Sequence, residues 1–222
     1  MPRAALIQLY LKQHQVPKAK EELAALAQTH RDNGMTRYLD AIVSFSSKEY
    51  ERTESIIGQL LRAAPDNPSL LTLGAAANMQ RGSYVAAESK LGKVVASVES
   101  AHLARKMLAE TYVYMGQADK GLTVLKPLLD RAQPDPEVLA LAGELRLRQG
   151  DVNRAEELFM RAASARPDSA RFQTALALTE IVRGNAEAGF DSLRTIAGKD
   201  SSDLADLALI SATMQRREYD KA

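Results

Sequence analysis

The sequence predicts an all-α fold, a solenoid of antiparallel helix pairs, and three observations carry that prediction. Alanine and leucine are abundant in a 222-residue chain that is 45% hydrophobic and only 5% aromatic, a composition that favours helix. Glycine recurs every 34 residues, at Gly82, Gly116, Gly150 and Gly184. Each falls where a helical run must stop, and glycine takes the left-handed conformation of a helix C-cap without steric penalty. Small and large apolar residues recur in the same phase, and a fixed period of this size marks a repeat architecture.

With Pro136 as position 1, the 34-residue unit runs to Ser169 and is readable in both directions without a gap. The units fall at approximately 1–33, 34–67, 68–101, 102–135, 136–169 and 170–203, with a partial unit at 204–222, and form a single array. In each, positions 2–14 are expected to form helix A and positions 17–30 helix B. The first unit supplies Ala19 at position 20 and Leu23 at position 24. The second places Ala41 at position 8, Thr53 at 20 and Ile57 at 24. The third opens on Asn67-Pro68, a cap followed by proline at the first helical position, and continues with Ala75, Ala87 and Leu91. The fourth carries Ala109, Gly121 and Leu125. The fifth opens on Asp135-Pro136 and carries Gly143, Ala155, Phe159, Ala162 and Pro167. The sixth carries Ala177, Gly189 and Leu193. Ser83, Asp151 and Asn185 follow the glycines and are expected to cap helix B. The small residues at positions 8 and 20 imply close approach of the two helices, with Ala155 expected near Gly143. Positions 24 and 27 supply bulk between units. The last unit begins with an apolar stripe, Leu204, Leu207, Ile210 and Met214, and its "REYDKA" (217–222) matches the opening of a helix B. Both ends read as cut from a longer array, and the stripe predicts weak end-to-end self-association.

The stretch "PEVLALAGELRLRQGDVNRAEELFMRAASARPDS" resembles the tetratricopeptide repeat family, with Leu139, Gly143, Gly150-Asp151, Ala155, Phe159, Ala162 and Pro167 in the family's places. The resemblance covers nearly the whole chain. Position 7 departs from it at Asp40 and Gly74, and position 11 at Ser44, Asn78, Arg146 and Glu180, where the family often has the tyrosine found at Tyr10 and Tyr112. The resemblance implies a right-handed superhelix with helix A lining a concave groove. The opening "PRAALIQLYLKQ" and the long uncapped array also look like bacterial repeat lipoproteins of PEP-CTERM and exopolysaccharide systems. That implies a cell-envelope or periplasmic location; without it the expectation is cytoplasmic.

Chemistry is sparse. Lys and Arg number 29 against 28 Asp and Glu, a net charge of +1, which argues against a nucleic-acid partner, because such surfaces need a basic stripe. With no cysteine, disulfides, thiol catalysis and thiolate metal sites are excluded. No apolar run approaches the ~20 residues of a membrane-spanning helix. The three histidines, His14, His30 and His102, have no second ligand type at helical spacing. "GNAEAGF" lacks the Lys-Ser/Thr of a phosphate loop, and its glycines have repeat-position explanations. The expectation is a chain without catalytic residues, metal or cofactor: a protein- or peptide-binding scaffold. The rival reading is a regulatory or substrate-recruiting segment of a larger enzyme such as a glycosyltransferase.

The family's ligands lie against positions 2, 5, 9, 12 and 13 of helix A. No unit pairs the lysine at position 5 with the asparagine at position 9 that grip a carboxylate in chaperone-binding members, which argues against chaperone tails. The resemblance instead puts Met35, Tyr38, Ile42, Phe45, Met79, Lys106, Glu110 and Tyr114 on the groove. Methionine and aromatic residues are enriched at adaptable interfaces, so these are the candidate partner-binding residues.

Overall fold

A computed structural model describes residues 2–31, 33–199 and 203–215. Among the described residues there are thirteen α-helices and no strand: α1 Pro2–Lys12, α2 Val16–His30, α3 Gly34–Ser46, α4 Tyr50–Ala63, α5 Pro68–Gln80, α6 Tyr84–Ser97, α7 His102–Tyr114, α8 Ala118–Leu129, α9 Pro136–Arg148, α10 Val152–Ala165, α11 Ala170–Val182, α12 Ala186–Ala197 and α13 Leu204–Gln215. Odd-numbered helices are the A helices and even-numbered ones the B helices. The B helices begin where the repeat places them, whereas the A helices from α3 onward begin one residue earlier than expected. Pro68 and Pro136 suit that first helical position, where no N–H partner is needed. The segment "REYDKA" lies outside the described residues.

The chain divides into two compact units, 1–111 and 112–222, with the division inside α7. In the first unit, Ile7 of α1, Ala19 of α2 and Leu39 and Val43 of α3 form one buried cluster. Ala41 of α3, Ile57 of α4 and Leu70 of α5 form the next. In the second unit, α9, α10 and α11 meet through Leu139, Ala140, Ala155, Phe159, Ala162 and Phe172, and α11, α12 and α13 through Ala177, Leu193, Ile196 and Ala205. Each cluster joins an A helix, its own B helix and the next A helix. The bulk expected at positions 24 and 27 therefore sits where predicted.

The A-to-B turn is built identically six times. The residue at position 15 is left-handed, with φ of 71° at Gly82, 68° at Gly116, 77° at Gly150 and 101° at Gly184. His14 (φ 56°) and Lys48 (φ 62°) hold the same place in the first two units. At each turn the following amide donates back to the carbonyl five residues earlier, as in Ser83 N–H to Asn78 at 2.8 Å and Glu49 N–H to Ser44 at 2.9 Å. The left-handed residue donates to the carbonyl three back, as in Gly82 to Met79 at 3.0 Å and Lys48 to Phe45 at 2.9 Å. These paired bonds are the Schellman motif, and they satisfy the last carbonyls of helix A.

One expectation changes. Asp151 caps α10 through the Arg154 amide at 3.3 Å, but Ser83 and Asn185 accept no side-chain cap bond. Their ψ values of 59° and 52° lie far from the extended ψ near 130° at Asn33 and Asp135, where the side chains do cap α3 and α9. Asp151 caps from a ψ of 72° after the same turn, so the turn does not by itself forbid a cap. The atoms nearest an added Cβ on Gly143 belong to the Phe159 ring, at 2.9 Å. Ala155 packs in the same cluster, with no exposure. Close approach of positions 8 and 20 is seen at two pairs. A Cβ on Gly189 would stand 2.7 Å from the Ala177 carbonyl oxygen, and the Thr53 hydroxyl lies 3.5 Å from the Ala41 carbonyl oxygen. At Gly121 the small residue instead receives Leu145 from the next A helix.

Lys48 is exposed and left-handed. For a residue with a Cβ that conformation costs about 1–2 kcal/mol, against about 0.4–1 kcal/mol of extra chain entropy for glycine in the unfolded state. Lys48→Gly is therefore expected to raise stability by about 0.5–1 kcal/mol, read by urea denaturation.

Candidate functional site

The candidate residues lie on three A helices, α3, α5 and α7, and differ in how far they are available. Met35 is 51% exposed at the first turn of α3, just beyond the Asn33 cap, whose side chain accepts the Met35 amide at 2.8 Å. Tyr38 is half-buried: with Leu60 and Ala64 it packs against Ala41, Ile57 and Leu70. Ile42 is half-buried, as is Phe45, whose ring meets Tyr50 edge-on with centroids 5.5 Å apart. Met79 on α5 and Lys106 on α7 are half-buried, and Glu110 on α7 is exposed. Tyr114, 58% exposed, ends α7. Of these residues Met35, Glu110 and Tyr114 are exposed, whereas Tyr38 and Phe45 also hold the fold. Leu103, 63% exposed on the first turn of α7, occupies the position that Met35 occupies on α3; its place in the repeat was the signal for it.

Position 11 carries polar ties between helices that the sequence did not disclose. The Lys18 ammonium lies 5.6 Å from the Tyr10 ring centroid, and Lys120 lies 5.5 Å from that of Tyr112. In the second repeat Ser44 donates to Asp40 at 3.3 Å while Arg52 donates to the same carboxylate at 2.9 Å. In the third, fully buried Asn78 accepts from Lys90 at 2.7 Å and donates to Glu54 at 2.9 Å. Arg81 also donates to Glu54. The pairing of an arginine in the last turn of one A helix with the preceding B helix recurs at Arg183 and Glu156. These groups orient helices and offer no reacting centre. Among the described residues no group of three His, Asp or Glu could hold a metal ion, and no helix is long and apolar enough to cross a membrane.

The tetratricopeptide repeat family profile matches residues 106–170 and 140–203. A solved tetratricopeptide repeat protein from Parabacteroides merdae is 16% identical, with a TM-score of 0.73, over 96% of this chain and 83% of that one. PilW, a widely conserved type IV pilus biogenesis factor, is 15% identical with a TM-score of 0.81, over 93% of this chain and 96% of that one. YrrB is 15% identical with a TM-score of 0.63, over 83% of this chain and 95% of that one. At such identities the similarity is one of fold. No curated protein matches the sequence. Residues 106–203 match the tetratricopeptide repeat profile, and the described residues share the helical-solenoid fold of solved tetratricopeptide repeat proteins.

The Asn78 amide, and then Arg81, hold the Glu54 carboxyl below its ordinary value of 4.5, against the opposing effect of burial. A lowered carboxylate pKa stabilises the fold above the unfolded value, and that contribution is lost as pH falls through the folded value. The window here lies below 4.5. Glu54→Gln is expected to lower the melting temperature at neutral pH and to flatten its decline within that window, read by thermal scans across the acid range.

Proposed function

We propose that the chain is a non-catalytic scaffold that binds an extended partner segment along the A-helix face formed by Met35, Tyr38, Ile42, Phe45, Met79, Lys106, Glu110 and Tyr114. The carrying observation is the exposure of large apolar groups at the ends of α3 and α7, Met35 at 51%, Leu103 at 63% and Tyr114 at 58%. Water-exposed groups of this size lose unfavourable hydration when a partner covers them. The repeat fold supports a role in protein–protein interaction, and YrrB is described as a tetratricopeptide repeat protein with an unusual peptide-binding site. The six units would act as a single array, which the unbroken 34-residue phase supports. A part in assembling a bacterial envelope or exopolysaccharide and protein-sorting system is the finer reading. It is supported by the resemblance of the opening residues and by the length of the array.

The test uses a partner isolated by pull-down from an envelope fraction. Glu110→Lys with Tyr114→Ala changes two exposed α7 groups, and truncating an aromatic anchor commonly costs about 2 kcal/mol or more. Binding is expected to weaken at least about tenfold, which corresponds to about 1.4 kcal/mol. Glu157→Lys on α10 is expected to leave it unchanged. Normal binding by the α7 variant together with loss in the α10 variant would place the working surface on the B helices.

Leu204, Leu207, Ile210 and Met214 on α13 are between 41% and 63% exposed, and this stripe is the surface proposed for weak end-to-end self-association. The sedimentation coefficient is expected to rise with concentration, and Leu207→Glu is expected to abolish the rise.

A further inference from the structure

At three equivalent junctions, each between an A helix, its B helix and the next A helix, the same four repeat positions meet. At two of them the chain fills the space with one of its own aromatic rings. Between α3, α4 and α5 the ring is Tyr38, at position 5, packed with Leu60 and Leu70. Between α9, α10 and α11 position 5 is only Ala140, and the ring is supplied by Phe172 at position 3, which is fully buried. The Arg166 guanidinium, at position 31, lies 5.0 Å from the Phe172 ring centroid.

Between α1, α2 and α3 neither position carries a ring. Ala4 stands where Tyr38 does, and Thr36 stands where Phe172 does. A cavity of about 230 Å³ lies there, lined by Ala4, Leu26, Met35, Thr36 and the Arg3 and His30 side chains. Leu26 holds the place of Leu60 and Ala162, and His30 that of Arg166. The polar groups at the rim are already engaged: Arg3 donates to Glu22 at 3.1 Å, and the His30 Nδ1 lies 2.7 Å from the Thr29 hydroxyl. They therefore do not call for a polar ligand. The cavity exceeds the roughly 150 Å³ of an engineered protein cavity that holds benzene.

We propose that this pocket binds an aromatic side chain, phenylalanine or tyrosine, presented by a partner segment, as the chain's own Tyr38 and Phe172 occupy the equivalent junctions. The proposal deepens the peptide-binding reading, since Met35 belongs to both surfaces. It is tested with a small probe, so its failure leaves the α7 experiment standing, and the reverse also holds.

The full chain with methyl-labelled methionine is titrated with N-acetylphenylalaninamide, with N-acetylalaninamide as control and the Met35 resonance assigned from Met35→Leu. The aromatic amide is expected to move the Met35 methyl upfield, saturably, through the ring current, and the alanine amide is expected to leave it in place. Ala4→Tyr puts a ring in the pocket; it is expected to weaken the probe at least tenfold and to raise the melting temperature. Thr36→Phe fills the same space from α3 and serves where Ala4→Tyr fails to fold. No saturable shift of Met35 up to the solubility limit overturns the proposal, as does an unchanged shift in a folded, filled variant.

Discussion

Every return from an A helix to its B helix turns on one left-handed residue, and the rest of the structure depends on that constraint. The residue fixes how far the chain reverses and sets where helix B begins. It also decides the backbone angle of the residue after it. Because the paired Schellman bonds satisfy the carbonyls ending helix A, the turn needs no side-chain help on that side. The first two repeats keep the geometry with His14 and Lys48 in place of glycine. Packing on either side of the turn therefore outweighs the local strain there, as it does where strained residues persist in folded proteins.

With the turn fixed, burial becomes a nearest-neighbour matter. An A helix is covered by its own B helix and by the preceding one, so each cluster is shared among three consecutive helices. Cohesion of this kind is additive along the chain, as in repeat proteins generally. It also leaves each junction free to solve its volume problem in its own way. One uses Tyr38, another Phe172, and a third leaves Ala4 and Thr36 beside an open cavity. Position 11 varies in the same manner, from cation–π pairs at Tyr10 and Tyr112 to the Glu54–Asn78–Lys90 network. The fully buried Asn78 side chain is tolerated because both its oxygen and its amide nitrogen find partners.

Much of this was legible in the sequence, because glycine spacing and the period of small and large apolar residues report backbone geometry directly. The B-helix starts, the fold class and the bulk at Ile57, Phe159 and Leu193 followed from it. What was not legible depends on angles or on neighbours. Ser83 and Asn185 are good capping residues and do not cap, whereas Asp151 after the same turn does. The left-handed turns at His14 and Lys48 carry no glycine, and only the phase of the repeat marks them. Tyr38 occupies a groove position, but its exposure is decided by Leu60, Ala64 and Leu70 on other helices. A position number says which way a side chain leaves its helix and nothing of what waits there.

The same reasoning bears on how a scaffold of this kind acquires specificity. Residues that hold the repeat together, such as Leu39, Leu91 and Leu145, are fully buried and have little room to vary; removing bulk there leaves a cavity that typically costs about 2–5 kcal/mol for leucine to alanine. The positions left to vary are those at the junction edges, where one ring more or less decides between a filled core and an open pocket. Loss of a ring at such an edge need not unfold the protein, because the neighbouring clusters remain intact. A junction that stays folded while leaving its aromatic place empty has the physical form of a binding pocket, and the one between α1, α2 and α3 has that form.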